Sequence, residues 1–317
     1  PDCDRGEGSL LNQARVVVGT RGSALALWQA DHVTARLKAA HPELTVERTV
    51  IVTTGDRTSQ GPLWQAGGKG VWVKEIEEAL LAGTIDLAVH SLKDVPAELA
   101  PGLVLAAIPE RADNRDALVS RDGLKLADLP AGARVGTTSL RRVCQVRALR
   151  PDLRLENLRG NLDTRLRKVA DGVVDAAILA CAGLDRLGFH DRIAERLSIE
   201  SMLPAIGQGA LAIETRAADQ RVRTLLRALA SEEAETTVAA ERALLHRLGA
   251  GCRTPVAGCA RVQQGQLHMW GLVGRPDASM ILRQSVTGPA MQAEALGTSL
   301  ADALLARGAD KILAEFG

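Results

Sequence analysis

A lysine and an aspartate occupy a position where α/β proteins often carry out chemistry. The segment SLKDVP (Ser91–Pro96) follows the apolar run Leu87–His90, which predicts a buried strand that ends here. Open α/β sheets bind ligands at the carboxyl ends of their strands, where Asp94 could exchange a proton or stabilise a cation. These residues alone leave a local surface pair of Lys93 with Asp94 as the alternative.

The most accessible sulfur is predicted in the loop GAGCRTP (Gly249–Pro255). Arg253 would favour the thiolate of Cys252, so this cysteine is the candidate nucleophile or covalent attachment point. A merely structural loop cysteine is the alternative. The sequence has no CxxC pair and no Cys/His cluster with zinc spacing, and it therefore predicts no metal site.

Arginine is concentrated in residues 136–168, where nine cations and three acids give a net charge of +6 over 33 residues. Its planar fork suits bidentate capture of carboxylate or phosphate. GTTSLRR (Gly136–Arg142), LRGN (Leu158–Asn161) and GTRGS (Gly19–Ser23) each place small polar residues where a strand runs into a helix, a geometry that favours anions. We therefore expect a ligand with several negative groups. Solvated helix faces are the alternative for single arginines.

The elements that must position these residues alternate between strands and helices, which predicts an α/β fold. The pattern restarts near Arg115, so a second α/β unit of similar size is expected. Ala210–Ile213 is a strand candidate that could return to the first sheet. The long amphipathic stretch Glu232–Leu248 and the strand meander after it indicate a separate α+β unit at the C-terminal end.

Composition gives no reason to expect a nucleic-acid or membrane protein. A length of 317 residues suggests two or three domains, and the net charge of +1 provides no global attraction for polyanions. The longest stretches without a charged residue, Ser201–Ile213 among them, have 13 residues and are too short for a transmembrane helix. With no signal peptide recognised at the start, a cytoplasmic protein is expected.

Seven motifs, in one order, closely resemble the porphobilinogen deaminase family. They are GTRGSALALWQ (19–29), GGKGVWVKE (67–75), DLAVHSLKDVP (86–96), GTTSLRR (136–142), LRGNLDTR (158–165), LPAIGQGA (203–210) and GCRTP (251–255). The resemblance runs from about Arg15 to the C-terminus and implies two α/β domains of the periplasmic-binding-protein type with a small α+β C-terminal domain. The implied ranges are 15–110 with 204–228 for domain 1, 111–203 for domain 2, and 229–317 for domain 3, which carries the cysteine loop.

The resemblance implies a transferase, hydroxymethylbilane synthase, of tetrapyrrole (heme) biosynthesis. The family joins four porphobilinogen molecules head to tail, with release of ammonia, on a dipyrromethane cofactor that is bound by a thioether to the loop cysteine, here Cys252. Every pyrrole carries an acetate and a propionate, so the growing chain needs many fixed cations. A monomer is also implied, with porphobilinogen as its small-molecule partner and with neither nucleic acid nor membrane.

By matching positions, Asp94 is expected to be the catalytic residue that hydrogen-bonds pyrrole N–H groups and stabilises the cationic azafulvene left by deamination. Expected cofactor-binding residues are Cys252, Lys93, Ser91, Arg141, Arg142, Ser139, Thr137, Lys69 and Asp56. Expected substrate-binding residues are Arg21, Ser23, Arg111, Arg159, Arg165 and Arg186. The sequence departs from the family pattern at Gln65 (often lysine), Trp72 (usually phenylalanine) and Thr138 (the second of two serines).

The same residues also allow two other classes of function. A non-enzymatic anion-binding protein could use the same two-domain scaffold, because fold alone does not fix function, although a pure binder has no need of Cys252 in an exposed loop. An enzyme whose Cys252 attacks an acyl or phosphoryl group would need a histidine base such as His246.

Overall fold

The structure is a computed structural model that describes residues 15–57, 72–251 and 254–316. Its strands are β1 (Arg15–Thr20), β2 (Thr45–Val50), β3 (Leu87–Ser91), β4 (Leu103–Ala107), β5 (Asp116–Ser120), β6 (Arg134–Gly136), β7 (Arg154–Glu156), β8 (Ala176–Ala180), β9 (Glu195–Arg196), β10 (Leu211–Arg216), β11 (Val256–Gln263), β12 (Gln266–Gly274) and β13 (Ile281–Pro289). Its α-helices are α1 (Ala24–Ala40), α2 (Thr54–Arg57), α3 (Lys74–Leu81), α4 (Leu140–Leu149), α5 (Leu162–Ala170), α6 (Cys181–Arg186), α7 (Gln220–Leu226), α8 (Glu232–Arg247), α9 (Ala293–Leu305) and α10 (Ala309–Leu313).

The first sheet has the strand order β2-β1-β3-β10-β4. β1 pairs in parallel with β2 and β3, whereas β10 lies antiparallel between β3 and β4. Alternate residues of the strands, such as Val18 and Val89, pack on Val33 and Leu37 of α1, because successive side chains of a strand point to opposite faces. The predicted return of Ala210–Ile213 to this sheet is confirmed.

The second sheet repeats this arrangement with the order β7-β6-β8-β5-β9. β6 pairs in parallel with β7 and β8, and β5 lies antiparallel between β8 and β9. The chain therefore crosses between the sheets twice, once between β4 and β5 and once between β9 and β10. We call residues 108–115 the first crossover and residues 197–210 the second crossover.

The C-terminal unit is a three-stranded antiparallel sheet, β11-β12-β13, packed against α8 and α9. Glu241 on α8 is fully buried and joins this unit to both crossovers. Its carboxylate accepts hydrogen bonds from Arg111 Nη1 (2.7 Å) and Nη2 (3.0 Å) on the first crossover and from the Gly207 N–H (2.7 Å) on the second. The Ala260 N–H donates a fourth bond at 2.8 Å, so this buried charge is both paired and fully hydrogen-bonded.

The predicted class, two α/β units with a small α+β unit, is confirmed by these sheets. The short helices α6 and α7 were not predicted, because six or seven residues span too few turns to show an amphipathic period. Over residues 15–57, 72–251 and 254–316, none of the helices combines the length and the apolar character that a membrane span requires.

Candidate active site

A cavity of about 1080 Å³ lies between the two sheets and extends to the C-terminal unit. It is as large as the largest ordinary small-molecule sites, which suits an extended ligand. Twelve of the predicted site residues line it: Arg21, Ser23, Ser91, Lys93, Asp94, Thr137, Ser139, Arg141, Arg142, Arg159, Arg165 and Arg186. Asp56 and Arg111 are not part of its lining, and Lys69 and Cys252 lie outside the described residues.

Asp94 is presented by a single 3₁₀ turn, Leu92–Asp94, that follows β3 directly. Leu92 and Val95 are buried, and the Leu92 N–H donates to the Ala210 carbonyl at 3.1 Å. Because these apolar side chains anchor the turn, the half-buried Lys93 and Asp94 reach the cavity wall. The sequence thus placed this pair correctly at the carboxyl end of a strand.

Lys93 has an ammonium group that is sensitive to its surroundings. Nζ donates a hydrogen bond to Gln208 Oε1 at 3.2 Å. Burial lowers the pKa of Lys93 to about 8; Asp94 and Asp116 oppose this effect, whereas Arg142 and Arg141 add to it. At neutral pH the group is therefore mostly protonated, and it supplies a positive charge beside Asp94.

Asp116, the first residue of β5, is fully buried between two arginines. Arg141 Nη1 lies 2.6 Å from its Oδ2, and Arg142 Nη2 lies 2.7 Å from its Oδ1. Burial opposes ionisation, but the two guanidinium groups outweigh it and hold the pKa of Asp116 well below its usual range. Since two cations share one anion, this cluster keeps a net positive charge at the cavity wall.

Two further arginines are held at the cavity by backbone carbonyls. Arg165 Nε donates to the Gly160 carbonyl, and Arg186 Nη2 donates to the Gly209 carbonyl, both at 2.8 Å. Burial lowers the pKa of each arginine to about 10, and the neighbouring Arg142 contributes to the shift of Arg165. Carboxylates bound next to them would offset this cost.

On the first unit, Arg21 is fixed from two sides. Its Nε donates to both oxygens of Asp56, at 3.1 and 3.2 Å, and its guanidinium lies 4.0 Å from the centre of the Trp72 ring. Burial opposes ionisation of Asp56, but hydrogen bonds from Arg21 and Thr53 outweigh it and lower the pKa of that carboxyl. Asp56 therefore orients Arg21 from outside the cavity lining.

The two glycine-containing turns of the second unit form as the sequence predicts, each leading from a strand into a helix. Ser139 is the N-cap of α4, and its backbone N–H donates to Thr137 Oγ1 at 3.2 Å. Gly160 has φ +112°, and a Cβ there would lie 2.7 Å from Thr164 Cγ2, so the turn before α5 requires glycine. Both turns belong to the cavity lining.

The candidate base for the alternative nucleophilic reaction lies elsewhere. His246 is exposed on α8, where its Nε2 is 3.3 Å from Glu98 Oε1. Among the described residues, His246 is not one of those that line the cavity. His246 thus lies next to a surface glutamate and outside the cavity lining.

Sequence reasoning assigned no role to three buried polar residues of this region: Asp116, Gln208 and Glu241. Asp116 starts an apolar strand, and Glu241 lies within a charged helix, so neither stands out in the sequence. Gln208 falls inside the motif LPAIGQGA, and that motif was its only signal. All three act through partners that are distant in the sequence.

Two family models match the chain. The model described as porphobilinogen deaminase, dipyromethane cofactor binding domain, matches residues 16–224, and that of the porphobilinogen deaminase C-terminal domain matches residues 235–306. The chain belongs to the porphobilinogen deaminase family.

Curated porphobilinogen deaminases agree with this assignment over nearly the whole length. The protein of Syntrophotalea carbinolica is 51% identical over 304 residues, which cover 96% of this chain and 96% of that protein. The protein of Syntrophobacter fumaroxidans is 50% identical over 298 residues, which cover 94% of this chain and 96% of that protein.

Among solved structures, the similarities are remote. The Bordetella pertussis BvgS VFT2 domain has a TM-score of 0.42 at 18% identity and covers 72% of this chain and 91% of that chain. The periplasmic aliphatic sulphonate binding protein SsuA from Escherichia coli has a TM-score of 0.38 at 14% identity and covers 74% and 70%, respectively.

As a porphobilinogen deaminase, the chain catalyses the head-to-tail condensation of four porphobilinogen molecules into hydroxymethylbilane, with release of ammonia, in tetrapyrrole biosynthesis. Its cofactor is dipyrromethane. The fold and the cation-rich cavity agree with a substrate that brings two carboxylates per ring.

Proposed function

We propose that Cys252 carries the dipyrromethane cofactor through a thioether and that Asp94 is the catalytic residue. One observation carries this proposal: Gly251 and Thr254, the neighbours of residues 252–253, line the same cavity as Asp94. The described residues on both sides of the cysteine position therefore belong to the wall that carries Asp94.

The residues of the cavity fit a dipyrromethane, whose side chains are acidic. Arg141 and Arg142 share one counter-ion, and burial lowers the pKa values of Arg165 and Arg186, a cost that bound carboxylates would offset. In our proposal, carboxylates of the cofactor are held by Ser91, Lys93, Thr137, Ser139, Arg141, Arg142 and Lys69, while Asp56 acts by orienting Arg21. When bound, the cofactor supplies the pyrrole to which the first substrate is joined.

The remaining basic residues are proposed to bind porphobilinogen through its acetate and propionate. They are Arg21, Ser23, Arg159, Arg165 and Arg186 at the cavity, with Arg111 as a more distant member. Arg111 Nη1 lies 2.7 Å from Glu241 Oε1. We therefore propose that Arg111 contributes to substrate binding while it stays paired with Glu241.

In the reaction step, the amine of the aminomethyl group of porphobilinogen leaves from its protonated form: the C–N bond breaks, its electron pair stays on the nitrogen, and neutral ammonia departs. The Asp94 carboxylate is proposed to hydrogen-bond the pyrrole N–H and to stabilise the positive charge that the ring then carries. The turn Leu92–Asp94, anchored by the buried Leu92 and Val95, holds this carboxylate in place, so little reorganisation is needed during the reaction.

We further propose the domain ranges 15–110 with 204–228, 111–203 and 229–317, because the two crossovers separate the sheets in this way. The proposal also includes a monomer that works in the cytoplasm without nucleic acid. These last features are supported by resemblance to the family, and size-exclusion chromatography with light scattering tests the oligomeric state.

Intact-mass measurement of the purified enzyme tests the covalent attachment. We expect an added mass equal to a dipyrromethane, which is lost in Cys252→Ser because an ether cannot replace the thioether under the same chemistry. The matched control is Cys259→Ser, which changes a buried thiol outside the cavity lining and should retain the added mass.

An unmodified enzyme with full activity would overturn the attachment at Cys252. An added mass that persists in Cys252→Ser would place the cofactor on another residue. Peptide mapping after proteolysis distinguishes these two results.

A further inference from the structure

Gln208 lies on the second crossover between two glycines in left-handed backbone, Gly207 (φ +72°) and Gly209 (φ +88°). A Cβ at Gly207 would lie 2.8 Å from Leu92 Cγ, and one at Gly209 would lie 2.5 Å from the Ala112 carbonyl oxygen. Any larger residue would therefore clash at either position. The glycines allow the second crossover to pack closely against the Asp94 turn on one side and against the first crossover on the other.

The side-chain amide of Gln208 is buried, with 1% of the residue exposed, and its orientation is fixed by its partners. Nε2 donates to the Asn114 carbonyl and to Asp116 Oδ1, both at 2.9 Å. Because both partners only accept hydrogen bonds, the amide oxygen must face the other way. There it accepts from Lys93 Nζ at 3.2 Å.

We propose that Gln208 is a positioning residue that couples Asp116, the shared counter-ion of the arginine pair, to Lys93 beside Asp94. This inference rests on the proposed role of Asp94. The connection Asp116–Gln208–Lys93 is direct and buried, and polar networks of this kind hold their members in one arrangement. Gln208 thus ties the arginine-rich wall of the second unit to the reactive turn of the first.

Charged groups face Lys93 from both walls, so its titration reports on the network. Asp94 and Asp116 favour the ammonium form, whereas Arg141, Arg142 and burial disfavour it. Gln208→Met keeps a side chain of similar length but removes the amide oxygen that accepts from Lys93 Nζ, and we expect the pKa of Lys93 to fall by about one unit. Gln208→Glu places an anion at the same position, and we expect a rise of about one unit.

Side-chain NMR of isotope-labelled lysine tests these opposite shifts in the enzyme as purified. The chain has only seven lysines, and Lys93→Arg assigns the signal. The matched control is Gln145→Met. Gln145 is equally buried, but its amide bonds to the backbone of Arg141 and Leu203. This variant should lose stability and leave the Lys93 titration unchanged.

Kinetics provide a second measurement. We expect Gln208→Met to lower kcat for porphobilinogen consumption roughly ten-fold with little change in KM, because misplacement of a charge next to Asp94 affects the transition state more than binding. An unchanged Lys93 titration in both Gln208 variants would overturn the coupling. Normal turnover by Asp94→Asn would instead remove Asp94 from the mechanism, and the titration would still decide the role of Gln208.

Discussion

Asp94 and Asp116 belong to corresponding α/β units but lie in opposite surroundings. Asp116 is fully buried, and its carboxylate accepts hydrogen bonds from two arginines and from Gln208. Asp94 is half-buried on the cavity wall, on a turn that is held by its apolar neighbours. The same residue type is therefore a fixed counter-ion in one unit and a group that can meet substrate in the other, and the environment sets the role.

The two walls of the cavity differ in the same way. The second unit contributes most of the arginines, including Arg141, Arg142, Arg159 and Arg165, whereas the first contributes the Lys93–Asp94 turn. Two units with corresponding sheets thus present walls of different charge: the second is rich in arginine, and the first carries the carboxylate that we propose as catalytic. Three substitutions test this difference between the walls.

The largest effect is expected for Asp94→Asn. Loss of the carboxylate should lower kcat for porphobilinogen consumption by about 10³- to 10⁴-fold, because the charge formed on deamination loses its partner. The thermal unfolding midpoint should stay nearly unchanged, since Asp94 is only half-buried.

The matched control is Asp163→Asn, which alters a carboxylate on the opposite wall of the same cavity. Asp163 is exposed on α5, and near-normal turnover is expected. Equal losses in the two variants would show that the division between the walls is wrong.

A smaller effect, on stability, is expected for Asp116→Asn. Two buried guanidinium groups lose their counter-ion, and the free energy of unfolding at pH 7 should fall by about 3 kcal/mol. The pKa of Asp116 is lower in the folded than in the unfolded protein. The ionised carboxylate therefore makes its full contribution to the free energy of unfolding above the unfolded pKa of about 3.9. This contribution is lost as the pH falls through the folded pKa. In urea titrations, the difference in free energy of unfolding between the wild type and Asp116→Asn should therefore become smaller below about pH 4.

Asp152→Asn is the control for this measurement, because the Arg150–Asp152 pair lies at the surface. Its unfolding curve should almost superimpose on that of the wild type. If Asp116→Asn is as stable as wild type at pH 7, Asp116 is not the counter-ion that holds the arginine wall together.

The smallest effect is expected for Arg165→Leu on that wall. Loss of one cation should raise KM for porphobilinogen roughly ten-fold and change kcat less, because Arg165 is proposed to hold a carboxylate that does not react. Arg167→Leu, two residues along α5 and exposed, should keep the wild-type KM. A drop in kcat with constant KM would assign Arg165 to the reaction step instead.

The sequence predicted the fold class and the strand-end position of Lys93 and Asp94, because apolar runs and turn residues are local signals. It also indicated the arginine-rich wall, since charge density needs no knowledge of the fold. It did not reveal that Arg141 and Arg142 converge on Asp116, or that Arg111 pairs with Glu241. These contacts join residues that are 25, 26 and 130 positions apart, and only tertiary packing brings them together.

The insertion of β10 between β3 and β4 has a consequence for synthesis of the chain. The first sheet cannot be completed until residues 211–216 have been made, long after β3 and β4 emerge. Until then both strands present unpaired backbone edges, which are templates for wrong pairing. The second unit lies wholly within this interval, so it can fold before the first sheet receives its last strand. A slow translation step before residue 211 would prolong the time during which β3 and β4 can pair wrongly.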